Sequence, residues 1–216
     1  MNKIMDKLGI YDLVAVLLSG ISILTFSLWV SEMVYNISVD INLQVNETLS
    51  FIVLSYFLGL VFQELGSLIQ KRVTHKNNGL LKTALKTSAN SHMFLTEVEK
   101  SGIYSYVIEH LKLDPSQNHD NEVYNYCKFF VIEKCETTRI DKDQSLSAMS
   151  RSLSLYFLLL AIFIFFNFLF QPNLIKLILI IISLILAILL YHRCVRFAKL
   201  RYIYIFRTFY YSIVAK

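Results

Sequence analysis

Two carboxylates and an amide stand where a soluble protein would have little reason to put them. Glu64 and Gln63 interrupt an apolar run from Leu49 to Gln70, and Asp12 lies near the start of another from Gly9 to Val30. A charge held in hydrocarbon is costly, so an intramembrane carboxylate pairs with a cation, reaches the interface or lines a hydrated path. For Glu64 all three remain open: Lys71 and Arg72 follow two turns along, and Gln63 adds a second polar group at its level. Asp12 has a milder reading as a carboxylate near a helix N-terminus, where the helix dipole favours it. Glu64, Gln63 and Asp12 are the candidate pore or intramembrane polar residues. Ser55 and Gly59 form a small-x-x-x-small pair suited to close helix contact, and Gly66 lets another backbone approach.

Other chemistry has no foothold. The chain lacks a Gly-rich phosphate loop, a G-x-S-x-G elbow and a C-x-x-C pair. His110, His119, Cys127 and Cys135 are spaced too widely and irregularly for a zinc site. Arg72-Val73-Thr74-His75 is too short for an Arg-x4-6-His nuclease motif. No enzyme activity, metal or cofactor is expected. Cys127, Cys135 and Cys194 are odd in number and map to the reducing side, which argues against a disulfide framework.

The elements that must position these residues follow from hydropathy and charge. Hydrophobic residues make up 55% of the 216, too many for an ordinary soluble surface. No Lys or Arg occurs between Leu8 and Gln70, and only Lys176 occurs between Ser152 and His192. A bilayer span needs about 20 mostly apolar residues as a helix. Four such runs are present: 9–30, 49–70, 153–170 and 174–191, the last two joined by the Gln171-Pro172-Asn173 turn. The fold class is therefore all-α, a polytopic membrane protein with four transmembrane helices and a small helical cytoplasmic segment. The first run is too long for a signal-peptide core, and Ser31-Glu32-Met33 gives no cleavage pattern, so it reads as a retained anchor. Lys176 is near enough to the end of its span to snorkel. Of the 21 cations, 20 fall on one side, which makes that side cytoplasmic. Both termini and the region 71–151 are then cytoplasmic, in a multi-pass protein of a bacterial inner membrane. Two sequons, at Asn36 and Asn46, fall in the larger outer loop, where a short run rich in Asn, Ser and Thr produces such triplets by chance.

The organisation is a hairpin over 1–70, a cytoplasmic region over 71–151, a second hairpin over 152–192 and a basic aromatic tail over 193–216. In the cytoplasmic region, helices are predicted over 80–95 and 103–111, with a break at Ser101-Gly102 and a stop at Asp114-Pro115. A third runs over 123–135, where Val123, Tyr126, Cys127, Phe130 and Val131 share one face. A fourth begins near Lys142 and continues into the third span. The tail has no acid; Arg193, Arg196 and Arg207 share an arc of about 60°, with Lys199 between them. These four cations are candidates for contact with anionic lipid headgroups. Arg beside Tyr and Phe could also stack bases, but nothing in the spacing specifies nucleic acid, and direct binding is not the preferred reading.

Tyr11-Asp12 opening the first span, Gly59, Gln63 and Gly66 leading to Arg72, Arg151-Ser152-Leu153 opening the third, and Arg193, Arg196-Phe197 and Phe206-Arg207-Thr208-Phe209 in the tail together resemble a group of small four-span bacterial membrane proteins from antiviral defence systems. That group includes accessory proteins encoded beside type VI-B CRISPR RNA-targeting nucleases, and the membrane subunit of the Kiwa system is similar in layout. The resemblance implies a membrane-disrupting effector, or a regulator joining a cytoplasmic defence protein or nuclease to the membrane. It identifies no catalytic residue. The expected function is a non-enzymatic homo-oligomer acting on membrane permeability; the alternatives are a channel or transporter subunit, or a scaffold tethering a cytoplasmic complex. The topology has a direct check: a cysteine at Asp40 should react with an impermeant maleimide on intact cells, and one at Lys216 only after permeabilisation.

Overall fold

Hydrocarbon leaves a backbone no partner but itself, so long apolar runs fold as helices whose hydrogen bonds are all internal. The computed structural model describes residues 2–35, 45–75, 81, 85, 94–114, 119–135 and 138–214, and the side chains of 11–34, 48–69, 81, 85, 94–114, 119–135 and 138–213. Among them are six α-helices and no strand: α1 (Asn2–Tyr35), α2 (Val45–His75), α3 (Glu97–Leu111), α4 (Asp120–Lys134), α5 (Thr138–Phe170) and α6 (Leu174–Phe209), followed by a π-helical stretch, Tyr210–Val214. α1, α2, α5 and α6 are long and apolar enough to cross a membrane. The chain is an all-α, multi-pass membrane protein by this measure.

Two compact units emerge. The first combines Met1–Arg72 with Ser145–Cys194, and the second combines Val73–Gln144 with Val195–Lys216.

In the first unit α1 and α5 run in the same direction, and α2 and α6 run against both. The contacts that fix this are few and specific. A Cβ on Gly20 would collide with the Ser55 carbonyl, and one on Gly59 with the Val16 carbonyl, so α1 and α2 cross at backbone contact. Ser55, Gly59, Phe62 and Gly66 fall within one arc of about 60° on α2. Further along that arc the Phe62 ring meets Tyr156 edge-on at 5.7 Å, and Gly66 lies under the Arg151 stem. α5 is the hub. Its Tyr156 bonds Ser27 of α1 at 2.8 Å, and its Ser154 donates to the Ala187 carbonyl of α6 at 2.8 Å. Ser147 donates to the Cys194 carbonyl at 3.2 Å. Ile23, Leu153, Phe157 and Ala187 fill the space between, and Val30, Ile164, Leu179 and Ile180 form a second apolar layer.

The second unit has its own core. Ile103 and Val107 of α3 and Val123, Cys127 and Val131 of α4 pack with Ile203, Ile205, Phe206 and Phe209 from the end of α6. Phe209 receives the edges of Tyr106, Tyr126 and Phe130 at 5.3 to 5.8 Å. The face predicted on α4 is the one buried here. Burial and the Asp120 carboxylate, which accepts from Tyr104 at 2.5 Å, hold the Tyr104 phenol protonated. Burial likewise pushes the Cys127 thiol up to about 12, leaving no thiolate at neutral pH.

Several sequence expectations need correction. α3 runs through Ser101 and Gly102, because a capping box at Thr96 starts the helix earlier and one internal Gly costs only about 1 kcal/mol. The helix expected over 80–95 does not reach its end, since Phe94 and Leu95 are not helical; most of that segment lies outside the described residues. α3 closes at Lys112, in the left-handed conformation with φ 54°. α1 begins at Asn2, so Asp12 is three turns into the helix and beyond the reach of its dipole. Lys176 needs no such correction: its ammonium turns back toward the end of its span and bonds the Gln171 carbonyl at 3.2 Å, at the end of α5.

The α1–α2 crossing gives a sharp test. Gly20→Ala and Gly59→Ala each force backbones apart at a contact that only hydrogen fits, an overpacking cost of about 1–3 kcal/mol. Thermal unfolding in detergent should fall by several degrees for each, whereas Gly66→Ala, whose Cβ would meet the flexible Arg151 stem at 3.1 Å, should fall less.

Candidate functional site

On α2 the residues that touch α1 and α5 and the residue most costly to leave in lipid lie on opposite sides. At 100° per residue, Glu64 stands about 140–180° from Ser55, Gly59 and Gly66. It falls instead among Val53, Phe57, Leu60 and Leu68, all exposed, with Phe57 64% so. Glu64 is exposed in the middle of this stripe, and Gln63, about 100° away around the helix, is half-buried. Toward the start of α2, Leu49, Ser50, Val53, Leu54 and Phe57 line a shallow apolar groove. Only 17% of the α2 span is buried, against 33% for α1, so α2 has the largest uncovered face.

Three features restrict how Glu64 can be satisfied. Within the first unit the nearest described cation on α5, Arg151, lies across Gly66 and therefore on the far side of α2. Gln63 and Glu64 have no hydrogen-bond partner among the described residues. The Cα–Cβ bonds of a helix tilt toward its N-terminus, so the Glu64 side chain leans away from the end carrying Lys71 and Arg72. Pairing with those two cations concerns side chains outside the described residues.

Asp12 is placed differently. It accepts a hydrogen bond from Ser145 of α5 at 2.7 Å and so ties α1 to α5. Ser55 and Gly59 are spent inside the chain at the α1 crossing, and Gly66 on the Arg151 stem.

The four tail cations separate as well. Arg193 and Arg196 are exposed. Lys199 places its ammonium 3.5 Å from the centre of the Phe94 ring. Arg207 faces inward within the second unit: its Nε donates to Glu99 at 3.2 Å and another guanidinium nitrogen to the Phe94 carbonyl at 2.7 Å. The helical arc that groups Arg207 with Arg193 and Arg196 is blind to Glu99, which lies 108 residues away. Glu99 is the functional-looking residue that the cation pattern misses. Its other oxygen accepts from the Thr96 backbone at 2.7 Å while the Thr96 hydroxyl accepts from the Glu99 backbone, and Tyr211 donates at 3.4 Å to the oxygen that Arg207 engages. Thr96-Glu97-Val98-Glu99 is a capping-box pattern, so this signal was present in the sequence.

Among the described residues no group of three His, Cys, Asp or Glu side chains is close enough to hold a metal ion. No family model, curated protein or solved structure matches the chain.

The inward placement of Arg207 is measurable. Arg207→Ala leaves the buried Glu99 carboxylate with one charged partner fewer, a loss of about 2 kcal/mol, between the values for exposed and buried pairs. The melting temperature of the full chain should drop by several degrees while Arg196→Ala leaves it unchanged. An unchanged melting temperature for Arg207→Ala, with weaker binding to anionic vesicles, would restore the headgroup role.

Proposed function

We propose that this chain is a non-enzymatic, self-associating protein of a bacterial inner membrane that alters membrane permeability, serving antiviral defence on a signal received through its cytoplasmic helices. The observation that carries the permeability reading is Glu64, a carboxylate centred on the exposed stripe of the least covered span. Lipid gives such a group nothing to bond to, and an intramembrane carboxylate characteristically faces a protein neighbour or a water-filled path. Copies inserted with one topology carry Glu64 at one level, where a set of carboxylates around a lumen would favour cations. The defence role rests on the resemblance in sequence. A second unit with its own core offers a cytoplasmic defence protein or nuclease a folded surface to engage.

Reconstitution tests this reading. Liposomes holding the wild-type chain should release small ions, and nanodisc mass should exceed one subunit. Glu64→Gln, at equal membrane levels, keeps the shape but removes the charge, and the ion flux should change severalfold. Unaltered flux from both Glu64→Gln and Glu64→Ala would end the pore-lining role, and a clean monomer in several detergents and in nanodiscs would end the assembly. A CRISPR array or nuclease gene beside this one would support the defence assignment, and a transport operon would favour a channel subunit.

A further inference from the structure

Two adjacent polar side chains of one span, exposed Glu64 and half-buried Gln63, have no hydrogen-bond partner among the described residues, and their chemistry is complementary. Glu64 is an acceptor with two oxygens; Gln63 carries an amide with two N–H donors. They differ by about 1.5 Å along the helix axis and about 100° around it. Neither is bonded to another described residue, and both lie off the Ser55–Gly59–Gly66 arc that faces the rest of the first unit.

We propose that α2 is the contact between copies of this chain, with Glu64 of one copy accepting a hydrogen bond from the Gln63 amide of the next. This rests on the self-association proposed above and names its interface. The occupant follows from membrane geometry. Copies that insert with the same topology are related by an axis along the bilayer normal, so equivalent residues share one depth. Gln63 and Glu64 sit at nearly one level on neighbouring flanks of the helix, so two α2 helices placed side by side bring the acceptor of one to the donor of the other. Each copy supplies both halves, and neither half is hydrogen-bonded to another described residue of its own chain. Lipid chains fail as the occupant because hydrocarbon has no donor for the carboxylate. The α1 and α5 contacts lie on the opposite side of α2 from Glu64, and Gln63, half-buried on the flank of those contacts at about 40–80° from Ser55, Gly59 and Gly66, bonds to no described residue there. The exposed stripe of Val53, Phe57, Leu60 and Leu68 and the groove beside it supply apolar surface that packs above and below this polar pair along the helix, and the second Glu64 oxygen stays open to the proposed lumen.

Hydrogen bonds between membrane helices make modest contributions, so their loss should weaken association without unfolding the subunit. The experiment measures subunit association in nanodiscs or dilute detergent by mass and by fluorescence exchange. Glu64→Leu and Gln63→Leu should each weaken association about fivefold to tenfold, in line with one membrane hydrogen bond. Since neither side chain is hydrogen-bonded to another described residue, both variants should insert normally and melt close to the wild-type subunit. The exchange variant Gln63→Glu with Glu64→Gln keeps one donor and one acceptor at each contact and should recover most of the association. A cysteine at 63 in one copy and at 64 in another should form the mixed disulfide in preference to 63–63.

Wild-type association with no loss in either Leu variant overturns this interface and leaves the proposed function standing. So does loss in both with no recovery in the exchange variant. A wild-type chain that never associates overturns both readings.

Discussion

Hydrocarbon offers a polar group nothing to bond to, and the spans of this chain are arranged around that lack. Without water to squeeze out, helices in a bilayer associate through close van der Waals contact and hydrogen bonds between their polar side chains. Both devices are visible. Gly20 and Gly59 bring α1 and α2 to backbone contact, which no larger residue would permit. α5 then uses its hydroxyls as connectors, reaching α1 through Ser145 and Tyr156 and α6 through Ser147 and Ser154. Each of these bonds removes a hydroxyl that would otherwise be stranded. Glu64 stands out because no described residue of the chain answers it.

The second unit obeys a different economy, that of a small globular core. Its helices are short, so their ends matter as much as their faces. Glu99 serves an end and a long-range contact together, closing the N-terminus of α3 while pairing with Arg207. The stretch that reads as a basic tail is amphipathic in an unexpected sense. Ile203, Ile205, Phe206 and Phe209 form the apolar centre of the unit, and several cations settle on its rings, as Arg139 does over Tyr204 at 3.8 Å.

Most of the membrane architecture is legible from Lys and Arg alone, since a soluble surface has no cause to shed its cations over a window wider than a span. The buried face of α4 is legible for a similar reason: a 3.6-residue period needs only local sequence. What fails to show is what depends on distant partners. The Ser101-Gly102 pair looks like a break until the cap at Thr96 is weighed against it. Arg207 belongs to a basic face until Glu99 is brought to it by the fold. Ser55 and Gly59 announce a close contact but say nothing about whether the other backbone belongs to the same chain; Gly20 supplies that answer. Glu64 shows the reverse case. Its cost in lipid can be read from sequence, but the side of α2 it occupies becomes meaningful only once the contacts at Gly59 and Gly66 fix which side faces inward.

The composition of the second core has a consequence for the order in which the molecule matures. Its outer helices, α3 and α4, are synthesised before α5, yet the residues that fill the space between them come from the far end of α6. A ribosome therefore exposes the apolar faces of α3 and α4 while two further spans are still being made and inserted. Closure of that core must wait for membrane integration of the last helix, and contacts of such long sequence separation form late in any case. A message cut short within α6 would yield spans correctly placed in the bilayer but a second unit unable to close, a species that proteases would recognise by its exposed apolar faces.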